Sequence, residues 1–235
     1  MTVRSMLFLS WNLAMLERSL EAPHNWTQEH SQAGVREVIL DASPDIVLLQ
    51  ELPGIVPYVE THDMIKANPI THSGNLATLV GHHLADEEIR HTVVARCALL
   101  TTFVERDLTV ANVHLSPSKS GAEERTAQLE AIIDASPTSD LAVIGDTNTR
   151  TAEEQGIAAI GLRGERPPSA TWDGRRNRFR GEAGNFLAYF SRHFASEGLL
   201  INQVSVLSDS GVSNAGAQFH LSDHYPFSGT ISPVG

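Results

Sequence analysis

One cysteine, Cys97, stands among 235 residues. That excludes an internal disulfide framework and a cysteine-based zinc cluster. No apolar run reaches the roughly 18 residues needed to span a bilayer, so no membrane partner is expected. Basic residues are also scarce. Seventeen Lys+Arg face 28 Asp+Glu, for a formal net charge of −11. This argues against a nucleic-acid binder that works by bulk attraction. An anionic substrate must instead be met by a local patch or a metal. Repeats, heptads, low-complexity tracts and linkers are missing. The opening MTVRSMLFLSWNLAM lacks a small-residue cleavage site, and Trp11 and Asn12 interrupt its apolar stretch. It reads as a buried first strand and not as a signal peptide. A cytoplasmic monomer is the default expectation.

What is there is ordinary globular composition, 41% hydrophobic and 19% charged, enough for one domain over 1–235 with a real core. Short apolar runs at 6–13, 45–51, 75–80, 108–115 and 141–145 predict buried strands,. The broken stretch 89–103 predicts more strand, with a tight turn at Asp107 before the next,. Val35, Val38, Ile39 and Ala42 recur at helical spacing and predict a helix over 29–42, stopped before Pro44,. Ala122, Leu129, Ile132 and Ile133 predict a second helix over 121–134, with Glu123 and Glu124 in its favourable first turn,. Residues 53–74 and 161–185 read as loop, and 186–190, 201–207 and 226–231 as further strands. This order predicts an α/β sandwich, two packed sheets with helices outside.

The informative pattern is where polar residues fall. Asn12 ends LFLSWN, Glu51 ends VLLQE and His114 ends VANVH; Asp146 and Asn148 follow VIG, and Asp223 and His224 precede the last strand. One Asn or Asp after a strand is usually a turn former. Five such ends in one chain point to a shared site, because grouped carboxylates are costly to desolvate unless they bind something. Glu51, Asp146, Asp223 and Asn12 are hard oxygen donors suited to Mg²⁺ or Mn²⁺ and not to zinc. Asp146 with Asn148 would orient a water, and His224 would donate to a phosphoryl oxygen. That set describes metal-assisted phosphoester hydrolysis. His62, His72, His82, His83 and His91 are irregularly spaced in loop and carry no metal-site pattern. Cys97 reads as a small buried hydrophobe inside a strand. Seven arginines against Glu165, Asp173 and Glu182 gather between Arg163 and Arg192, a candidate phosphate-binding wall or a solvated loop.

SWN, LQE, NVHL, GDTN and SDHYP, in this order, resemble the endonuclease/exonuclease/phosphatase superfamily with the DNase I-like fold. HLSPSKSGAEERTAQLEAI, GDTNTR and ATWDGRRN are most similar to its 5′-tyrosyl-DNA phosphodiesterases. The resemblance implies a four-layer α/β sandwich of two mixed sheets flanked by helices. It implies metal held by Glu51, Asn12 and Asp223, and water handled by Asp146 and Asn148. Phosphate would be contacted by His114 and His224, and substrate by Arg150 and Trp172. Arg175 and Arg176, in the basic stretch, join them as candidate substrate contacts. The expected partner is a phosphoester, with a DNA end or a nucleotide as its candidates.

One departure stands out. Where this superfamily carries a carboxylate that holds the catalytic histidine, NFLAYF offers Ala188, with Phe186 in place of an arginine. Asp173 or Glu182 would have to substitute. Two other readings therefore stand beside the nuclease. One is a small-molecule or nucleotide phosphoesterase on the same fold. The other is a weakened binding module, motivated by Ala188.

Overall fold

The computed structural model describes residues 5–14, 27–52, 57–66, 75–176, 187–207, 213–214, 217–218 and 220–234. Two sheets dominate. The first runs in the order β12 (Leu199–Val206), β15 (Phe227–Pro233), β1 (Met6–Asn12), β2 (Ile46–Leu52), β4 (Asn75–Gly81), β3 (His62–Lys66). The second runs β11 (Ser191–Ala195), β8 (Asp140–Asp146), β7 (Leu108–His114), β6 (Ala98–Phe103), β5 (Ile89–Val94). Two-residue ribbons, β9 (Trp172–Asp173) with β10 (Leu187–Ala188) and β13 (Ser213–Asn214) with β14 (Ala217–Gln218), lie apart from them. In each sheet one central pair is parallel, β1 with β2 and β7 with β8, and the other pairings are antiparallel.

Strand periodicity assigns the layers. Met6, Phe8, Ile46, Leu48, Val110, Ala142 and Ile144 share the core between the sheets. Their neighbours Leu9, Trp11, Val47 and Leu49 pack outward against Val35 and Ile39 of α1 (Gln28–Ala42). Ala111, Val113, Leu141 and Val143 pack outward against Leu129 and Ile132 of α2 (Ala122–Ala135). Helix, sheet, sheet, helix is the expected four-layer sandwich. Among the described residues no helix is long and apolar enough to cross a membrane.

Three local expectations change. His62–Lys66 is a strand inside the stretch expected to be loop; HDMIK shows no apolar alternation because it is an edge strand with Met64 exposed. The strand expected over 186–190 begins instead at Ser191. Leu187 is exposed, only Leu187–Ala188 pairs, and it pairs with Trp172–Asp173 inside a stretch expected to be loop. Phe186 lies outside the described residues. The residues of β11, SRHFA, are all buried yet mostly polar, so no apolar run marks them. Cys97 sits in the turn before β6, not in a strand. It is buried as expected, and burial pushes its thiol up to about 12. The short helix α3 (Glu154–Ala159) also went unread.

His193 of β11 is buried, and its Nδ1 has no hydrogen-bond partner among the described residues. Burial, aided by neighbouring Arg192, pushes its pKa down to about 4. Near pH 7 both folded and unfolded chains hold it largely neutral, so its titration takes little from stability there. Below about 6.5 the unfolded chain takes up the proton first, and folding loses stability until the folded group also titrates near 4,. Urea midpoints should therefore show a loss on the order of 2 kcal/mol between pH 7 and pH 4.5. His193→Leu should remove most of that slope; an unchanged slope would show that other groups set it.

Candidate active site

Both parallel pairs end at the same edge of the sandwich, the position where α/β sheets place ligands. The rows that face between the sheets run Met6, Phe8, Ser10, Asn12 in β1 and Leu108, Val110, Asn112, His114 in β7. In β8 the row ends on Asp146. The last member of each row leaves the apolar core and meets the others. His114, Asp146 and Ser191 are lateral neighbours across β7, β8 and β11. Gly145, one residue before Asp146, has φ +147°, and a Cβ there would lie 2.3 Å from the Val113 carbonyl oxygen. Only glycine lets β8 press this closely on β7.

Glu51 belongs by parity to the opposite face. Its backbone has φ +49°, and the β2–β4 register shifts between Leu49 and Leu52. This irregularity turns the side chain toward the site, a usual role of a bulge. The Asn12 amide donates to Glu51 Oε1 at 3.1 Å and to Asp146 Oδ2 at 2.8 Å. His114 Nε2 lies 3.5 Å from Glu51 Oε1 and 3.7 Å from Asp146 Oδ2. His224 Nε2 lies 3.8 Å from the same Asp146 oxygen. Burial raises the Glu51 carboxyl above its ordinary value, and Asp146 adds to that; His114, the Asn12 hydrogen bond and His224 oppose it.

Ligand atoms of Glu51, His114 and Asp146 all lie within 4.8 Å of one another. Two crowded, largely buried carboxylates with an amide across them fit a hard divalent cation, which would relieve the burial penalty on Glu51. Of the expected metal set, Glu51 belongs to this cluster. Asn12 bridges its carboxylates through the amide nitrogen, and its Oδ1 accepts from Ala14 N at 2.9 Å. Asp223 accepts the Trp172 indole N–H at 2.8 Å.

Asn148 touches this centre directly, and the remaining expected residues are held by its neighbours. Asn148 adopts φ +50°, a conformation asparagine tolerates; its N–H donates to Asp146 Oδ1 at 3.2 Å and its amide to Leu115 O at 3.2 Å. Trp172 is only 6% exposed, and it bridges to the backbone of His224. Arg150 donates to Asn148 O and lies over the Phe190 ring at 4.5 Å. Arg175 grips Asp173 at 2.6 and 2.8 Å, and its hydrogen bonds hold that carboxyl down to about 2. Arg176 lies 3.7 Å from Asp173 and over the Tyr225 ring at 4.2 Å. Sequence reasoning missed Ser222, Trp11, Phe190 and Ser191. The Ser222 hydroxyl donates to Asn12 O at 2.8 Å and accepts from His224 N at 3.0 Å. Trp11 donates to His224 O at 2.9 Å. Ser222 and Trp11 stand inside the SDH and SWN motifs, which was the available signal.

A two-sheet sandwich with an acidic, histidine-flanked cluster at its strand ends defines a class, the DNase I-like α/β sandwich. The chain belongs to the Endonuclease/Exonuclease/phosphatase family, which it matches over residues 9–224. No curated protein matches its sequence. Solved structures do. TDP2 of D. rerio complexed with single strand DNA product is 19% identical, with TM-score 0.71, covering 97% of this chain and 99% of that one. Truncated Caenorhabditis elegans TDP2 is 19% identical, with TM-score 0.69, covering 97% and 98%. The human Nocturnin catalytic domain with bound sulfate anion is 15% identical, with TM-score 0.63, covering 98% and 94%. At these identities the likeness carries the fold.

Proposed function

We propose that this protein is a Mg²⁺- or Mn²⁺-dependent phosphodiesterase acting on a phosphoester such as a DNA end, most like a 5′-tyrosyl-DNA phosphodiesterase. The observation that carries this reading is the convergence of Asn12, His114 and His224 on one Asp146 oxygen beside Glu51. A divalent ion bound there would supply Lewis-acid charge to the phosphoryl oxygens. Glu51 is the residue shared by the expected ligand set and the donor cluster, with Asn12 and Asp223 completing the expected set. Asp146, fixed by Asn12 and by the Asn148 N–H, orients and deprotonates the attacking water. His114 and His224 present Nε2 toward the same space and donate to oxygens that gain charge in the transition state. Trp172 holds the Asp223 carboxylate and, with Arg150, is the expected substrate contact. The single strand DNA product complexed with one fold relative and the sulfate anion bound to another are in keeping with an anionic, phosphate-like ligand.

The test is a substrate panel: 5′-phosphotyrosyl oligonucleotide, single- and double-stranded DNA, RNA and bis-p-nitrophenyl phosphate, each with Mg²⁺ and Mn²⁺. Turnover should vanish with chelator and return with metal. Hydrolysis that survives exhaustive chelation would overturn the reading.

Among the described residues, the candidate contacts Arg175 and Arg176 already face Asp173. Grip on a long strand should therefore be weak. With two or three phosphate contacts, single-strand affinity should fall roughly tenfold from 50 to 200 mM salt. A loss of several hundredfold would mean a long, basic strand track instead. No salt dependence at all would favour the small-molecule reading.

A further inference from the structure

His224 has a second ring nitrogen. Its Nδ1 faces the Ser191 hydroxyl at 3.3 Å, deep in the fold, where Ser191 is wholly buried. Among the described residues no carboxylate takes that place. Ala188, at the position where an acid was expected, pairs instead with Trp172. Asp173 is engaged by Arg175, by Arg176 and by the Tyr225 hydroxyl at 3.3 Å. Glu182 lies outside the described residues.

Ser191 is itself held from both sides. Its N–H donates to Thr171 Oγ1 at 3.0 Å, and the Thr171 hydroxyl donates back to Ser191 O at 3.1 Å. Tyr225, next to His224, donates its N–H to Thr171 O at 2.8 Å. The hydroxyl of Ser191 takes no part in these bonds. The His224 backbone is fixed by Ser222 and Trp11, so what remains open is the ring and its proton.

We propose that Ser191 is a positioning residue for His224, fixing which ring nitrogen carries the proton. Nε2 faces a carboxylate oxygen of Asp146 at 3.8 Å, a setting that favours a donor there. With the proton on Nε2, Nδ1 is an acceptor, and the Ser191 O–H donates to it. A serine does by tautomer selection part of what an acidic partner does by charge. The ring then donates from Nε2 toward a phosphoryl oxygen without having to rotate or exchange protons. This rests on the hydrolase reading for its purpose, but not for its geometry.

Nitrogen-15 NMR of the histidine ring separates the two. Spectra are taken at about pH 8, above the ordinary histidine range, and His224→Asn assigns the signal. The wild-type ring should carry its proton on Nε2. In Ser191→Ala the signature should move toward the Nδ1–H form. Ser191→Thr, which keeps the hydroxyl, should restore it. On any phosphoester that is hydrolysed, Ser191→Ala should lower kcat about tenfold, the worth of one buried hydrogen bond, with KM within about twofold. A wild-type ring protonated on Nδ1, or an unaltered Nε2–H signature in Ser191→Ala, overturns the proposal. Failure to hydrolyse any phosphoester would count against the hydrolase reading alone, because the ring signature is read without substrate.

Discussion

Glu51→Gln should abolish metal-dependent turnover, by roughly a thousandfold or more, while leaving the protein folded and somewhat more stable. The substitution is nearly isosteric, and its amide oxygen can still accept from Asn12, so the bulge at φ +49° has no new reason to collapse. What is lost is charge at the place where a cation is needed. What is gained is relief. Burial raises the Glu51 carboxyl and Asp146 raises it further, so the wild-type site holds the Glu51 carboxylate against its preference. Removing one should raise the unfolding free energy by about 1 kcal/mol in the absence of metal. Asp146→Asn should be as inactive, because three side chains converge on its Oδ2. The measurement pairs turnover on the best substrate with urea unfolding in chelator. Full metal-dependent turnover by either variant would sink the site assignment. A large loss of stability in Glu51→Gln would show that the carboxylate is structural and not kept for function.

Much of this arrangement was legible in the sequence, for a physical reason. A strand between two packed sheets must be apolar on its inner row until it reaches the edge. The polar residue that closes the row marks the edge, and Asn12, His114 and Asp146 are those residues, with Ser10 and Asn112 already polar one step earlier. Glu51 was legible as the end of VLLQE, but its orientation was not, since parity alone turns it away. Only the positive φ and the register shift bring it back. The Gln50 and Asn112 side chains, joined at 2.8 Å between the sheets, break the apolar rule one step before the edge. The strand at Ser191–Ala195 was misplaced because its buried residues include the polar Ser191, Arg192 and His193, and the first two find polar partners. Arg192 reaches Glu154 at 3.0 Å, and Ser191 reaches His224. An apolar stretch just before it, FLAYF, drew the assignment instead. The missing carboxylate partner of His224 was visible in sequence. Its neighbour in the structure was not, because the contact joins residues 33 positions apart.

Arg125→Met should cost about 3–5 kcal/mol of stability, the largest effect expected from any single residue of α2. Arg125 is wholly buried. Its guanidinium donates to both Glu153 oxygens at 2.7 and 2.8 Å, and to the carbonyls of Ser116 and Ser118 at 2.9 and 2.7 Å. Glu153 in turn accepts the Arg150 N–H at 2.9 Å. One fork thus ties the loop after His114 to the loop after Asn148, the two loops that leave the site. Burial by itself would raise the Glu153 carboxyl, but the Arg125 hydrogen bonds and the Arg150 N–H outweigh it and hold it low. Methionine fills the volume and leaves that carboxylate buried without its partner, which is the costly outcome. Arg125→Lys should recover little, because an ammonium group cannot span both oxygens and two carbonyls at once. Arg125→Met with Glu153→Leu should recover much of the loss, since the stranded charge goes with its partner. Turnover need not recover with it, because the Ser116 and Ser118 carbonyls still lack their donor and the His114 loop loosens. Urea unfolding of the two single variants and the double variant measures the coupling. A coupling below about 1 kcal/mol would show that the buried pair adds little beyond packing.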